Sequence, residues 1–231
     1  SSRGECATMN FSVERDENRE NVLENYRRIA KVLDCQVADM VASHQTHTTN
    51  IRRMTWADKG KGILRTRDYA DVDGMVTDEP GLVLNTFYAD CVPLYFVDPI
   101  HHAIGLAHSG WRGTVGRMGE RMVETMEAQF GSRPEELYAA IGPSICRDCY
   151  EVSEDVAVQF IRMLGDQVAT PGKEPGKHQL DLWLANELIL RQAGLLPSHI
   201  AVTDICTCHN SQYLFSHRAS GGRRGSLAAF L

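Results

Sequence analysis

The 231-residue sequence predicts an α/β (α+β) fold, a layered sandwich of mixed β-sheets with helices outside. Three observations predict it. Short apolar runs bounded by turn signals recur at 82–86, 94–97, 103–107 and 137–141, the length of buried strands. Longer stretches at 19–33, 115–130 and 154–164 repeat apolar residues at helical spacing, with charge on the other side. The two kinds of segment alternate only partly, which disfavours a regular doubly wound sheet. No internal repeat or linker divides the chain, so residues 1–231 are read as a single domain.

Composition narrows the function classes. With 43% hydrophobic and 23% charged residues the chain is ordinary for a soluble globular protein. A net charge of −6 gives no electrostatic case for nucleic acid or an anionic membrane. No apolar run approaches the length needed to span a bilayer. Seven cysteines, an odd number scattered along the chain, do not form a disulfide scaffold, and reduced thiols in the cytoplasm are the simpler reading. The opening Ser1-Ser2-Arg3 reads as an interior start with an amino-terminal piece missing, which leaves targeting open. Nothing in the sequence specifies an oligomeric state.

Taken in order, the chain begins with a weak strand-like pattern around 7–11. A helix follows over 19–33, with Val22, Leu23, Tyr26, Ile29, Ala30 and Leu33 inward and Asp16 or Asn18 as caps. A short strand at 37–43 leads to His44 and His47. Residues 51–69 are polar and rich in Gly, Lys and Arg, a loop or irregular edge, and Asp71-x-Asp73-Gly74 is a turn before a buried strand. In the central stretch the strands at 82–86 and 94–97 flank Cys91, and Pro93 argues for a sheet edge or a bulge. The strand at 103–107 presents His108 at its end. Gly110-Trp111-Arg112-Gly113-Thr114 turns into a helix over 115–130 that Gly131 stops. A strand at 137–141 precedes Cys146-x-x-Cys149, which fits a redox pair or half a zinc site completed by Cys206-x-Cys208-His209. Ser153 caps a helix over 154–164, 165–177 is a surface loop, Asp181 caps a helix ending at Gly194, 200–205 is a strand, and 227–231 closes the chain as another.

A thiol at Cys91 and an imidazole at His108, both next to strand ends, suggest a site on a rigid scaffold, although for either residue alone a buried core side chain is the preferred reading. The motifs around them decide the weighting. ADCVPL and AHSGWRGT resemble the signature of the laccase-domain family, whose members were first called multicopper polyphenol oxidases and are now described as purine nucleoside phosphorylases. SHQTHTTN, IGPSICRDCYEV, LDLWLANELIL and ICTCHNSQYLFSHR also match, so the resemblance runs from about Met9 to Phe230. It implies a single layered domain and metal binding by His47, Cys91 and His108. It implies phosphorolysis of adenosine, inosine and methylthioadenosine with adenosine deamination, so that purine nucleosides and phosphate are the partners. Where the family reads Ser-Tyr-Arg this chain has Ser216-His217-Arg218, which keeps the arginine and replaces the aromatic.

One thiolate and two imidazoles are three ligands of a tetrahedral site that keeps a fourth position open, as zinc enzymes do. Copper accepts the same set, so the ligands alone do not choose the metal. Nine histidines are too few for the several coppers of a polyphenol oxidase. Arg112 and Arg218 are the candidate phosphate cradle, with the competing reading that Arg112 pairs with a carboxylate and Trp111 simply packs. Two other readings stand beside the nucleoside enzyme. One is a Cys-His hydrolase with Cys91 as nucleophile and His108 or His47 as base; the other is a non-enzymatic metal-binding module.

Overall fold

The structure, a computed structural model, describes residues 4–6, 9–13 and 19–231. The expected caps Asp16 and Asn18, and the first half of the strand-like pattern around 7–11, lie outside the described residues. Residues 9–13 carry no strand.

In chain order, helix α1 (Arg19–Val32) is followed by strands β1 (Met40–Ala42), β2 (Ile51–Arg53), β3 (Gly74–Thr77), β4 (Val83–Tyr88), β5 (Val92–Asp98) and β6 (Ala103–Ser109). Helices α2 (Trp111–Val115) and α3 (Met118–Phe130) come next, then β7 (Tyr138–Ile141), β8 (Glu151–Ser153) and α4 (Glu154–Leu164). The chain ends with β9 (Ala169–Pro171), β10 (Lys177–Leu180), α5 (Leu182–Gln192), β11 (Ile200–Val202), α6 (His217–Ser220) and β12 (Leu227–Phe230).

Six strands form a mixed sheet in the order β11-β7-β5-β6-β3-β2. A smaller mixed sheet, β1-β4-β12, packs against it, and a third, β8-β10-β9, is antiparallel. Alternation along the strands builds the layers. On β5, Leu94 and Phe96 enter a core shared with Met118, Met122 and Met126 of α3 and Ile189 of α5, while Tyr95 faces the small sheet. On β1, Val41 faces the large sheet, and Met40 and Ala42 face α1, where they meet Val22 and Tyr26. The expected sandwich with helices outside is therefore observed. Each fully buried Met or Phe in these layers contributes on the order of 1.5–3 kcal/mol by leaving water.

Several expectations need correction. Pro93 is not at a sheet edge: β5 lies between β6 and β7. Its carbonyl accepts the N–H of Gly142 (2.9 Å), so its nitrogen faces the same side, beyond the end of β7, and the missing donor breaks no ladder bond. The helix expected over 115–130 is two helices, separated at Arg117, which has φ 58. Of the two readings of 51–69, residues 51–53 take the edge: they are an edge strand parallel to β3. The segment 165–177 contains β9, paired antiparallel with β10, rather than being loop throughout. The strand expected over 200–205 is three residues long. Asp181 caps α5 as expected, its side chain accepting the Leu184 N–H, whereas Ser153 occupies the cap position of α4 without a side-chain bond.

Candidate metal centre and cleft

Cys91 sits in the turn between β4 and β5. The preceding Asp90 has a left-handed φ of 86, which costs a non-glycine residue roughly 1–3 kcal/mol unless its surroundings enforce it. They do: its carboxylate accepts the Thr207 hydroxyl and the Arg218 N–H, each at 2.7 Å, and its carbonyl accepts the Ile145 N–H at 3.0 Å. Three distant segments therefore hold the turn that carries the thiol.

His108 is the penultimate residue of β6 and is buried. His47 lies in the loop after β1 with a φ of 65, and its ring is exposed. Asp73, immediately before β3, organises both. Its carboxylate accepts the backbone N–H groups of Thr46, His47 and Thr48 at 3.0, 3.1 and 3.0 Å, and its Oδ1 lies 2.8 Å from His108 Nδ1. Burial alone would push the Asp73 carboxyl up, but the His108 hydrogen bond and the Thr46 and Thr48 amides hold it below its ordinary value. A carboxylate that accepts all these bonds assigns the proton to His108 Nδ1 and leaves Nε2 as the free ligand atom.

His47, Cys91 and His108 each offer one ligand atom, and the three atoms lie within 4.8 Å of one another. Their electrostatics are those of a thiolate beside imidazoles. Burial opposes ionisation of Cys91, but the charge and hydrogen bonds of His108, and the hydrogen bond of His47, bring it down to about 6. Burial likewise opposes the His108 cation, which the Cys91 thiolate and Asp73 raise to about 9. Gly110 completes the fit: a Cβ there would stand 3.0 Å from Cys91 Sγ and 3.3 Å from His47 Cδ2. These donors, with a buried carboxylate fixing one imidazole and a glycine keeping the third side open, suit a transition-metal ion held by three ligands.

A cleft opens beside the three side chains, lined among others by His44, Gln45, Arg67, Tyr88, Arg224 and Ser226. His44 is half-buried and accepts the Asp71 N–H through Nδ1. Arg112 and Arg218 lie outside this lining. Arg218 donates to the carbonyls of Cys149 and Glu151, both at 3.0 Å, and lies over the Tyr150 ring. Arg112 is exposed and stacks on Trp111 at 4.3 Å. None of the ion pairs among the described residues involves either guanidinium, so the expected alternative of an Arg112–carboxylate pair is not observed. Sequence reasoning missed Asp73, Asp90 and Tyr88. Asp73 announces itself only as an Asp-Gly turn, and Tyr88 only as a strand aromatic, though its hydroxyl bonds the Ala107 carbonyl at 2.9 Å and its ring lies 5.5 Å from that of His108.

Fold and site together define a layered α/β domain that gathers a cysteine just before β5, a histidine near the end of β6 and a histidine from the loop after β1. The chain belongs to the family described as multi-copper polyphenol oxidoreductase laccase, whose model matches residues 1–231. It is similar to purine nucleoside phosphorylase YlmD of Geobacillus stearothermophilus, 38% identical over 236 residues that cover 100% of this chain and 85% of that protein. It is also similar to adenosine deaminase RL5 of an unknown prokaryotic organism, 33% identical over 209 residues covering 88% of this chain and 79% of that one. The fold matches the crystal structure of the hypothetical protein YfiH of Bacillus licheniformis with a TM-score of 0.93 at 33% identity, over 99% of this chain and 87% of that one. No described helix is long and apolar enough to cross a membrane.

Proposed function

We propose that the chain is a metal-dependent purine nucleoside phosphorylase that also deaminates adenosine. Adenosine, inosine and methylthioadenosine are its substrates, zinc is its resident ion, and copper is the alternative the ligand set accepts. The observation that carries the reading is the Asp73–His108 pair, which aims one imidazole nitrogen at Cys91 and His47 beside an open cleft. The names of the relatives agree with it: one is a purine nucleoside phosphorylase and one an adenosine deaminase.

An ion held by His47, Cys91 and His108 would supply Lewis acidity beside the cleft. The rest falls to the chain's own residues. Asp73 keeps His108 in a single tautomer, and its amide contacts keep the His47 turn in place. In phosphorolysis a phosphate oxygen bonds to the anomeric carbon while the glycosidic C–N bond breaks, its electron pair leaving with the purine, which takes up a proton. A doubly charged anion needs a cationic cradle in a partly dry site. Arg112 and Arg218, which stand outside the cleft lining and form no ion pair with a described carboxylate, are assigned that task. In deamination water adds to the purine ring and ammonia leaves, with no anion to bind.

The test is to incubate purified protein with inosine, with and without phosphate, and to assay free hypoxanthine. Phosphate-dependent release is expected. Release that ignores phosphate, or none at all, rejects the reading. The Cys-His hydrolase reading has one observation in its favour, since Asp73, His108 and Cys91 stand in the order orienter, base and nucleophile. Chelation separates the two: it abolishes a metal-dependent activity and leaves a free thiolate nucleophile working. Cys91→Ala is expected to lose one equivalent of metal relative to wild type.

A further inference from the structure

A second group of ligand side chains stands apart from the Cys91 site. Cys146-x-x-Cys149 and Cys206-x-x-His209 are two pairs with the internal spacing of zinc knuckles. The first pair lies in the segment after β7, around the 3-10 turn Arg147–Cys149, and the second in the turns after β11. A three-residue turn is not the helix start that a thioredoxin-like redox pair requires. Backbone bonds from Ser144 N to Ile205 O and from Thr207 N to Ser144 O, both 3.1 Å, tie the two segments together.

The result is convergence. The sulfurs of Cys146, Cys149 and Cys206 and a ring nitrogen of His209 lie within 4.8 Å of one another, and all three thiols are free. Cys146 Sγ is 3.7 Å from His209 Nδ1. The Cys206 sulfur accepts the backbone N–H groups of Cys146 and His209, each at 3.4 Å. Amides aimed at one sulfur offset the negative charge of a ligating thiolate. Asp148, Asp181 and Asp204 line the same recess together with Arg147, which pairs with Asp148 at 3.8 Å, and the acidic excess favours a cation there. Cys208, the other cysteine of the second motif, is not among the converging donors.

We propose that Cys146, Cys149, Cys206 and His209 bind a second divalent transition-metal ion, distinct from the one at His47, Cys91 and His108. Three thiolates and one imidazole are the donor set of structural zinc sites, and because all four positions come from protein the site is closed to substrate. Its role is mechanical. Ile145 and Thr207 brace Asp90 next to Cys91, and the Cys149 carbonyl accepts from Arg218. An ion joining Cys146 and Cys149 to Cys206 and His209 staples together the two segments that carry these contacts.

The experiment uses the full chain, purified with reductant, stripped with chelator and titrated with Co²⁺. Wild type is expected to take up two equivalents and Cys91→Ala one, with the visible bands of tetrahedral cobalt and thiolate charge-transfer absorption. Adding Cys146→Ser and Cys149→Ser to Cys91→Ala should remove both signals. His209→Asn, at an exposed position compatible with folding, is a milder variant and should weaken Zn²⁺ binding at this site about tenfold or more in competition against a chromogenic chelator. Three results would overturn the proposal: a folded Cys91→Ala that binds no cobalt, a cobalt spectrum indifferent to Cys146, Cys149 and His209, or a disulfide among Cys146, Cys149 and Cys206 in the reduced protein by mass spectrometry.

Discussion

At the scale of single residues, Asp73 does more than any of the three candidate ligands to organise the proposed centre. It is wholly buried, it fixes the His108 tautomer, and it gathers three consecutive amides of the loop that carries His47. Asp73→Asn keeps the shape but loses the charge and can offer the imidazole the wrong hydrogen-bonding partner. Loss of such an outer partner costs about 10–100-fold in metal affinity, which zinc competition measures; an unchanged affinity would show that His47 and Cys91 suffice. The arginines make a second residue-scale prediction. Arg112→Met or Arg218→Met should raise the phosphate concentration needed for phosphorolysis about tenfold, since a charged hydrogen bond contributes about 1.5–3 kcal/mol, and should spare deamination. Equal losses in both reactions would assign these residues to the fold or the purine instead. His47, Cys91 and His108 were legible in the sequence because long ordered motifs surround them. Asp73 was not, because an Asp before a Gly reads as a turn whatever its carboxylate later touches.

Elements show where local pattern stops being informative. The 115–130 segment keeps one apolar stripe through both α2 and α3, so periodicity cannot see the break at Arg117. What holds α2 apart is tertiary: Thr114 Oγ1 bonds the Gly110 carbonyl and the Ser109 hydroxyl, and Ser109 in turn reaches Asn186 of α5, each at 3.0 Å. Pro93 was misplaced for the same reason, since its tolerance depends on where β7 stops. Gly142 stands at that point, and a Cβ on it would lie 2.7 Å from Pro93 Cγ and 2.9 Å from Tyr95 Cε2. A proline ring cannot swing aside as a long side chain can. Gly142→Ala is therefore expected to destabilise by about 1–3 kcal/mol in urea unfolding, the usual cost of overpacking. No loss of stability would mean that β5 and β7 separate more easily than their register suggests.

Across the whole molecule, the layers were legible and the small additions were not. Alternating apolar residues in β4, β5 and β6 and the helical stripes of α1 and α3 each specify which face is buried, and that is enough for a sandwich with helices outside. The β8-β10-β9 sheet escapes because strands of three or four residues carry almost no periodic signal. Stability against acid belongs to this scale, since it rests on carboxylates in separate parts of the fold. Asp58, Asp73 and Asp98 have side chains at most 4% exposed. Burial pushes each one up, yet all three sit below their ordinary 3.8: Asp58 through Lys61 and the Thr55 N–H, Asp73 through His108 and its loop amides, and Asp98 through Ser132 and His101. A carboxyl whose pKa is lower in the folded than in the unfolded chain contributes stability that is fully present above the unfolded value. That contribution disappears as pH falls through the folded value, because the unfolded chain takes up protons first. Unfolding free energy of the metal-free protein should therefore be nearly level from pH 7 to about 5 and fall steeply below about 4. Asp98→Asn removes one such group from the turn between β5 and β6, and should reduce that slope by up to about 1.4 kcal/mol per pH unit while lowering stability at neutral pH. Urea denaturation at several pH values in the presence of chelator measures both. A variant with the full wild-type slope would show that Asp98 is protonated in the folded protein as readily as in the unfolded one, and that its hydrogen bonds with Ile100 and His101 shape the turn without holding its charge.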